Sequence, residues 1–261
     1  MIEHLIRLLR PLHFRGKHRL LNRLAPRSGT RTLRVAGFEM TLDLSDFIQR
    51  SIYLGTYEQK ESRLFRRLLS AGDTAVDVGA NVGFFTAHAL AAVGKTGRVI
   101  AIEPSPIAFA TLRHWLERAG AVHCRALNFG LGDCAGELNL YWNPDGDNHT
   151  PSMVPVGDGH HIRVPVRRLD DVLEELSVNE VTLLKIDVEG FELRVLRGAS
   201  RALSERRFAY ILLEFSAPWL TAAGTSPGEI DAVLRSNGYR PAGRDPTMLG
   251  PRSVANFIYR R

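Results

Sequence analysis

Cysteine is scarce in this chain. There are two among 261 residues, Cys124 and Cys134, and they do not stand at metal-ligand spacing, which leaves out a disulfide framework and a zinc site. Two reduced thiols in a cytoplasmic protein is the reading that follows. No apolar run is long enough to cross a bilayer. The first ten residues, Met1 to Arg10, meet charge too early for a secretory signal. No internal repeat is visible. Acid is nearly missing from residues 1–34, where nine Lys and Arg stand against the single acid Glu3. The whole chain carries +6, so the remainder is slightly acidic, which argues against a nucleic-acid partner.

That basic segment also holds Leu5, Ile6, Leu8, Leu9 and Leu12, the pattern of a basic amphipathic helix. Such a helix packs its leucines on its own domain or on a second subunit, or rests on an anionic membrane surface. Contact through residues 1–25, peripheral to a membrane or between subunits, is therefore an expectation. Residues 1–45 read as a basic extension: a helix over 1–25 ended by Pro26, then a hairpin over 31–44 turning near Gly37. Residues 46–261 read as one domain.

Hydrophobic residues make up 44% of the chain, enough for a sizeable core. Residues 46–70 look helical with a break at Gly55. From Asp73 onward strands (74–78, 98–103, 122–128, 181–187, 209–215) alternate with helices (near 83–93, 105–119, 168–177, 190–204, 226–236). Residues 253–259 make a last strand, antiparallel to its neighbours. Alternating β and α predicts an α/β fold, a mostly parallel sheet with helices on both faces. One insertion interrupts the pattern. Segments 137–142 and 162–166 form a hairpin around a polar loop, 143–161.

Two motifs carry chemistry. Asp77-Val-Gly79-Ala-Asn81-Val-Gly83 reads as a strand end, a glycine turn and a helix start. Arg98-Val-Ile-Ala-Ile-Glu103 is a second strand, ending in an acid 24 positions after Gly79. That spacing suits an acid on a ribose diol. A dinucleotide site wants G-x-G-x-x-G around a pyrophosphate, which Asp77 would repel. Asp77 suits S-adenosylmethionine, which has a sulfonium, an ammonium and a ribose but no phosphate. Further on, Lys185-Ile-Asp187-Val-Glu189-Gly190-Phe-Glu192 and the strand ending at Glu214 add more acids. Asp77, Glu103, Asp187 and Glu214 are expected on one rim. Glu189 and Glu192 read equally well as first-turn helix acids.

Taken in order, these residues resemble the FkbM-type S-adenosylmethionine-dependent methyltransferases over roughly residues 55–240. The resemblance rests on Gly55-Thr-Tyr57-Glu58, the Asp77–Gly83 turn, Glu103-Pro-Ser, Asn128-Phe-Gly-Leu-Gly-Asp133, Leu169-Asp-Asp171 and Lys185–Glu192. It implies a Rossmann-like class I methyltransferase fold with a seven-stranded sheet. It also implies O-methylation of a hydroxyl on a sugar, glycan or secondary metabolite. By position it implies cofactor contacts from Glu58, Asp77, Gly79, Asn81, Gly83 and Glu103, with Asn128 or Asp133 toward the adenine amine. Phe129 stands where the family usually has a small residue.

For the acceptor's proton, Asp187 is the first candidate base, Glu214 the second, and the loop histidines His149, His160 and His161 the third, with His161 carried as the site candidate. Asp187 and Glu214 alternatively hold Mg²⁺. Two other functions compete. An NAD-dependent oxidoreductase is favoured by the strand-turn-helix unit with Glu103. A non-catalytic partner protein would keep the fold and use the basic arm.

Overall fold

The computed structural model describes residues 6, 8–10, 12, 16–142, 151–155 and 160–261. The helix expected over 1–25 is not continuous. Lys17–Leu24 is helical (α1), but Gly16 before it has φ 84°, and Arg10 lies in a turn. Ile6 and Leu21 bury themselves against Leu54. The hairpin forms as expected from β1 (Thr30–Val35) and β2 (Phe38–Asp43), turning at Ala36 and Gly37. Its apolar side, Val35, Met40 and Leu42, enters the same core as the central sheet. Residues 46–70 split into α2 (Phe47–Tyr53) and α3 (Gln59–Leu68).

The chain then alternates through β3 (Thr74–Val78), α4 (Phe84–Val93), β4 (Arg98–Ile102), α5 (Pro106–Arg118) and β5 (Cys124–Leu127). A small side sheet follows from β6 (Gly130–Leu131), β7 (Gly136–Trp142) and β8 (His160–Arg167). Next come α6 (Leu169–Glu175), β9 (Val181–Ile186), α7 (Glu192–Gly198), α8 (Ser200–Ser204) and β10 (Phe208–Ser216). The chain closes with α9 (Ala217–Ala222), α10 (Pro227–Ser236), β11 (Arg240–Pro241) and β12 (Val254–Arg260). The single helix expected near 190–204 is two, α7 and α8. The short helix α9, β6 and β11 were not expected. The loop expected to run to residue 161 ends at His160, where β8 begins. Within it Ser152 bridges Tyr141, while residues 143–150 and 156–159, His149 among them, lie outside the described residues.

The main sheet has seven strands in the order β11-β12-β10-β9-β3-β4-β5. The five strands from β10 to β5 run parallel, and β12 is antiparallel to β10. Both faces of the central strands are apolar because helices cover both. Val76, Val78, Ile100, Ile102, Leu184 and Ile186 face one core. Ala75, Val99, Ala101, Leu183 and Leu212 face the other, under α3, α4 and α5. The strand order reverses between β3 and β9. In open α/β sheets that is where the carboxyl ends part and leave a crevice. Among the described residues no helix is long and apolar enough to cross a membrane.

Candidate active site

Parallel register fixes which residues share the rim. Val78 pairs with Ile102 on one side and Ile186 on the other, and Ile186 pairs with Leu213. The next residue on each strand is therefore at one level: Glu214, Asp187, Gly79 and Glu103, in that order across the sheet. A cavity of about 210 Å³ opens over this row, lined by all four together with Tyr57, Glu58, Asn81 and Glu189. Phe47 and Ile48 of α2 and Ser152 and Met153 also line it.

Glu103 is 6% exposed. Its oxygens accept the Asn81 amide at 2.7 Å and the Ser105 amide at 2.8 Å. Asn81 reaches it from a left-handed conformation, φ 50°. Burial lifts the Glu103 carboxyl to about 7, against the pull of those two amides. A carboxylate has about four acceptor positions, so two remain for a ligand. Ile102, Phe129 and Leu131 give the adjoining wall an apolar surface.

Asp77 is not on the rim. It stands two residues before Gly79, two register rows deeper, and is 1% exposed. Thr86 Oγ1 donates to its Oδ2 at 2.7 Å, and Lys185 Nζ lies 3.7 Å from its Oδ1. The register pairs Asp77 with Lys185, so the two sit side by side. Asp77 was expected to act on a ligand ammonium directly or through water; here it lies off the cavity lining, with Lys185 as its neighbouring cation. Burial raises the Asp77 carboxyl, and Lys185 works against that rise.

Lys185 joins Asp77 to the rim. It is 3% exposed, donates to Asp187 Oδ2 at 3.0 Å, and lies 4.6 Å from the Phe85 ring centre. Burial opposes its charge, but Asp187 and Asp77 outweigh burial and its pKa is raised. In the sequence this lysine and Tyr57 fall within motifs, but neither is given a role there. The available signal was a charged residue inside the apolar strand Val181–Ile186, which requires a buried partner.

Asp187, Glu189 and Glu214 bring carboxylate oxygens within 4.8 Å of one another. Three such groups cannot all ionise freely. The Asp187 charge, then burial, lifts Glu214 to about 10. Burial, then Asp187, lifts Glu189 to about 8. Glu189 is held here by a left-handed backbone, φ 50°, and its carbonyl accepts Ser152 Oγ at 2.8 Å. Glu58 accepts Asn256 Nδ2 at 3.2 Å and is raised to about 7 by burial and Glu61. Tyr57 is raised by burial and these same acids. Glu192 turns away from the cavity and accepts the Gly190 amide at 3.1 Å.

Four other expected residues lie off the cavity lining. Asn128 donates through Nδ2 to the carbonyls of Glu103, at 2.8 Å, and Pro104, at 3.2 Å, so its NH2 group holds the strand end. Asp133 pairs with Arg194 at 3.5 Å. A Cβ on Gly83 would come 2.5 Å from Leu112 and 2.8 Å from Trp115, so that glycine admits α5. His161 is exposed on β8 beside Tyr141. His160, also exposed, stacks on Trp142.

A family model for the methyltransferase FkbM domain matches residues 77–241. The chain belongs to the FkbM methyltransferase family. It is 31% identical over 217 residues to the 31-O-demethyl-FK506 methyltransferase FkbM of Streptomyces tacrolimicus, covering 70% of this chain and 78% of that protein. It is 28% identical over 177 residues to the hexuronic acid methyltransferase AglP of Haloferax volcanii, covering 68% and 67%. The match to Methyltransferase 1 of Beauveria bassiana, 32% identical over 142 residues, spans 57% of that protein's length and 47% of this chain. A methylase structure from Clostridium thermocellum superposes with a TM-score of 0.50 at 10% identity, covering 77% of this chain and 93% of that one. The fold is that of a class I methyltransferase, and the FkbM-domain match spans β3 to β11, the strands that carry the whole rim.

Proposed function

We propose that this chain is an S-adenosylmethionine-dependent O-methyltransferase acting on a hydroxyl of a sugar or secondary metabolite. The observation that carries the reading is a cavity with two unlike ends: Glu103 beside an apolar wall at one, the Asp187, Glu189 and Glu214 carboxylates at the other. When bound, S-adenosylmethionine supplies an electrophilic methyl group. Glu103 would take the ribose hydroxyls with its two remaining acceptor positions, and Ile102, Phe129 and Leu131 would take the adenine. Gly79 and Asn81 would offer backbone to the methionine part. Glu58 and the rim acids favour a cationic end there, the task first expected of Asp77. The same acids would repel a pyrophosphate, which weighs against an NAD-dependent oxidoreductase. The complete rim weighs against a non-catalytic partner protein.

An alcohol is a weak nucleophile while it keeps its proton. We assign that proton to the carboxylate trio. Asp187 accepts it, held in place by Lys185, and Glu189, poised at about 8, passes it on. Glu214 is the further member of the group; His161 has no part in this scheme. The trio is also a fitting ligand set for Mg²⁺, which prefers carboxylate oxygens, and a cation there would relieve the like charge that lifts Glu214. Relatives named for a hexuronic acid and for a demethylated FK506 support a sugar or metabolite acceptor. The protein is proposed to be cytoplasmic, with residues 1–25 as a contact to a subunit or membrane surface.

The test uses purified protein, methyl-labelled S-adenosylmethionine, and a panel of uronic acids, neutral sugars and polyketide alcohols. Label on a hydroxyl oxygen supports the assignment. Label only on nitrogen or carbon acceptors contradicts it.

A further inference from the structure

A second cavity, of about 380 Å³, lies behind the aromatic wall of the first. Tyr57 lines the first cavity and Phe84 the second, and their rings meet edge to face at 5.1 Å. The second cavity is bordered by Arg10 from the amino-terminal arm, Arg34 from β1, Arg63 and Arg66 from α3, and His88 from α4. Among the described residues no carboxylate borders it. Arg10, Arg34 and Arg66 make no ion pair among the described residues. Gathering this charge without a counter-charge is unfavourable by itself.

Two of these groups are partly buried. The Arg10 stem packs on Gly55, where a Cβ would approach it to 2.6 Å, and burial lowers its pKa. Burial, and then Arg66, pulls His88 down to about 4, so at neutral pH His88 is a neutral hydrogen-bonding group. The apolar part of the lining comes from Val35, Ala36, Ile52 and Phe84. This lining suits an anion with an organic part. Guanidinium groups arriving from separate elements suit an anion with several exposed oxygens.

We propose that this cavity binds a phosphate ester, with the phosphate on Arg10, Arg34 and Arg66 and the organic part against Val35, Ile52 and Phe84. The site is separate from the cofactor cavity and does not depend on the methyl-transfer assignment. The ester is either a soluble phosphorylated compound or a phospholipid headgroup.

Titration calorimetry with phenyl phosphate and with inorganic phosphate tests it on the full chain. The comparison is the variant Arg34→Gln/Arg66→Gln, two exposed positions whose exchange leaves the core intact. Phenyl phosphate should bind saturably, more tightly than inorganic phosphate, and lose at least about tenfold in affinity in the variant, the least expected from two charge-assisted contacts. S-adenosylhomocysteine affinity should be equal in both proteins. Vesicles of phosphatidylcholine with and without phosphatidylglycerol identify the source. Binding of the anionic vesicles alone, abolished by the variant, assigns a lipid headgroup. Failure of both probes to bind, or equal binding by the variant, overturns the proposal.

Discussion

Replacing Lys185 by Met tests the buried core of the site. Lys185 is 3% and Asp77 1% exposed, and the lysine is the cation nearest to an Asp77 Oδ1 that has no hydrogen-bond partner. Methionine fills similar volume, so packing changes little. The Thr86 hydrogen bond at 2.7 Å survives, but Asp77 and Asp187 are left with no cation. Removing one partner of a buried pair costs about 3–5 kcal/mol, out of a total stability of ~5–15 kcal/mol. At roughly 2–4 °C per kcal/mol for a chain of this size, the Tm should fall by about 6–20 °C. Urea unfolding gives the free energy directly. Adding Asp77→Asn removes the stranded charge, and the double variant should recover a substantial part of the loss, a coupling of ~0.5–3 kcal/mol. The deficit should also shrink in acid, because a lone buried Asp77 takes up a proton. If Lys185→Met unfolds within about 1 kcal/mol of the parent, which is within the range of an ordinary substitution, the argument that Asp77 is committed to Lys185 is wrong.

Two further outcomes follow from the rim. Glu103, Glu189, Glu192 and Glu214 have folded pKa values of about 7, 8, 7 and 10 against 4.5 in the unfolded chain. The folded state therefore holds more protons, and the stability they contribute is full below 4.5 and lost as pH rises through the folded values. Without ligands, unfolding free energy should fall between pH 5 and 8 in unfolding curves; a rise across that window would contradict the burial of these acids. Asp187→Asn should leave S-adenosylhomocysteine affinity nearly unchanged and lower turnover by roughly 10²–10⁴. Activity lost to EDTA and restored by Mg²⁺ would make the trio a metal site, indifference to EDTA would make it a proton acceptor, and full turnover by the variant would remove Asp187 from catalysis.

The sheet was legible because its signals are local. Apolar alternation gives the strands, and an acid at or near the carboxyl end of each gives Glu103, Asp187 and Glu214. Register was not legible. The strand motif makes Asp77 look like a strand-end acid, yet pairing with Ala101 and Lys185 sets it two register rows below the rim. The glycines were seen, but not what they admit. A Cβ on Gly79 would stand 1.8 Å from the Asp187 carbonyl oxygen, a chain crossing fixed only by the folded β9 end. Likewise Gly83 is explained by Trp115, 32 residues onward. Glu189 and Glu192 read alike as helix acids. The left-handed backbone at Glu189 sends one to the cavity, while Glu192 binds the loop amides. Asn128 and Asp133 were assigned from family position, and their partners come from the β4 end and from α7, contacts no local pattern announces.

The most direct test of the account is calorimetry with S-adenosylhomocysteine on the parent protein and on Glu103→Ala, with circular dichroism to establish that both are folded. A single site in the parent is predicted. Loss of the charged acceptor should weaken binding by ~1.5–3 kcal/mol, roughly ten- to 150-fold. Equal affinity in a folded Glu103→Ala protein, or no binding by the parent, would contradict the placement of the cofactor against Glu103.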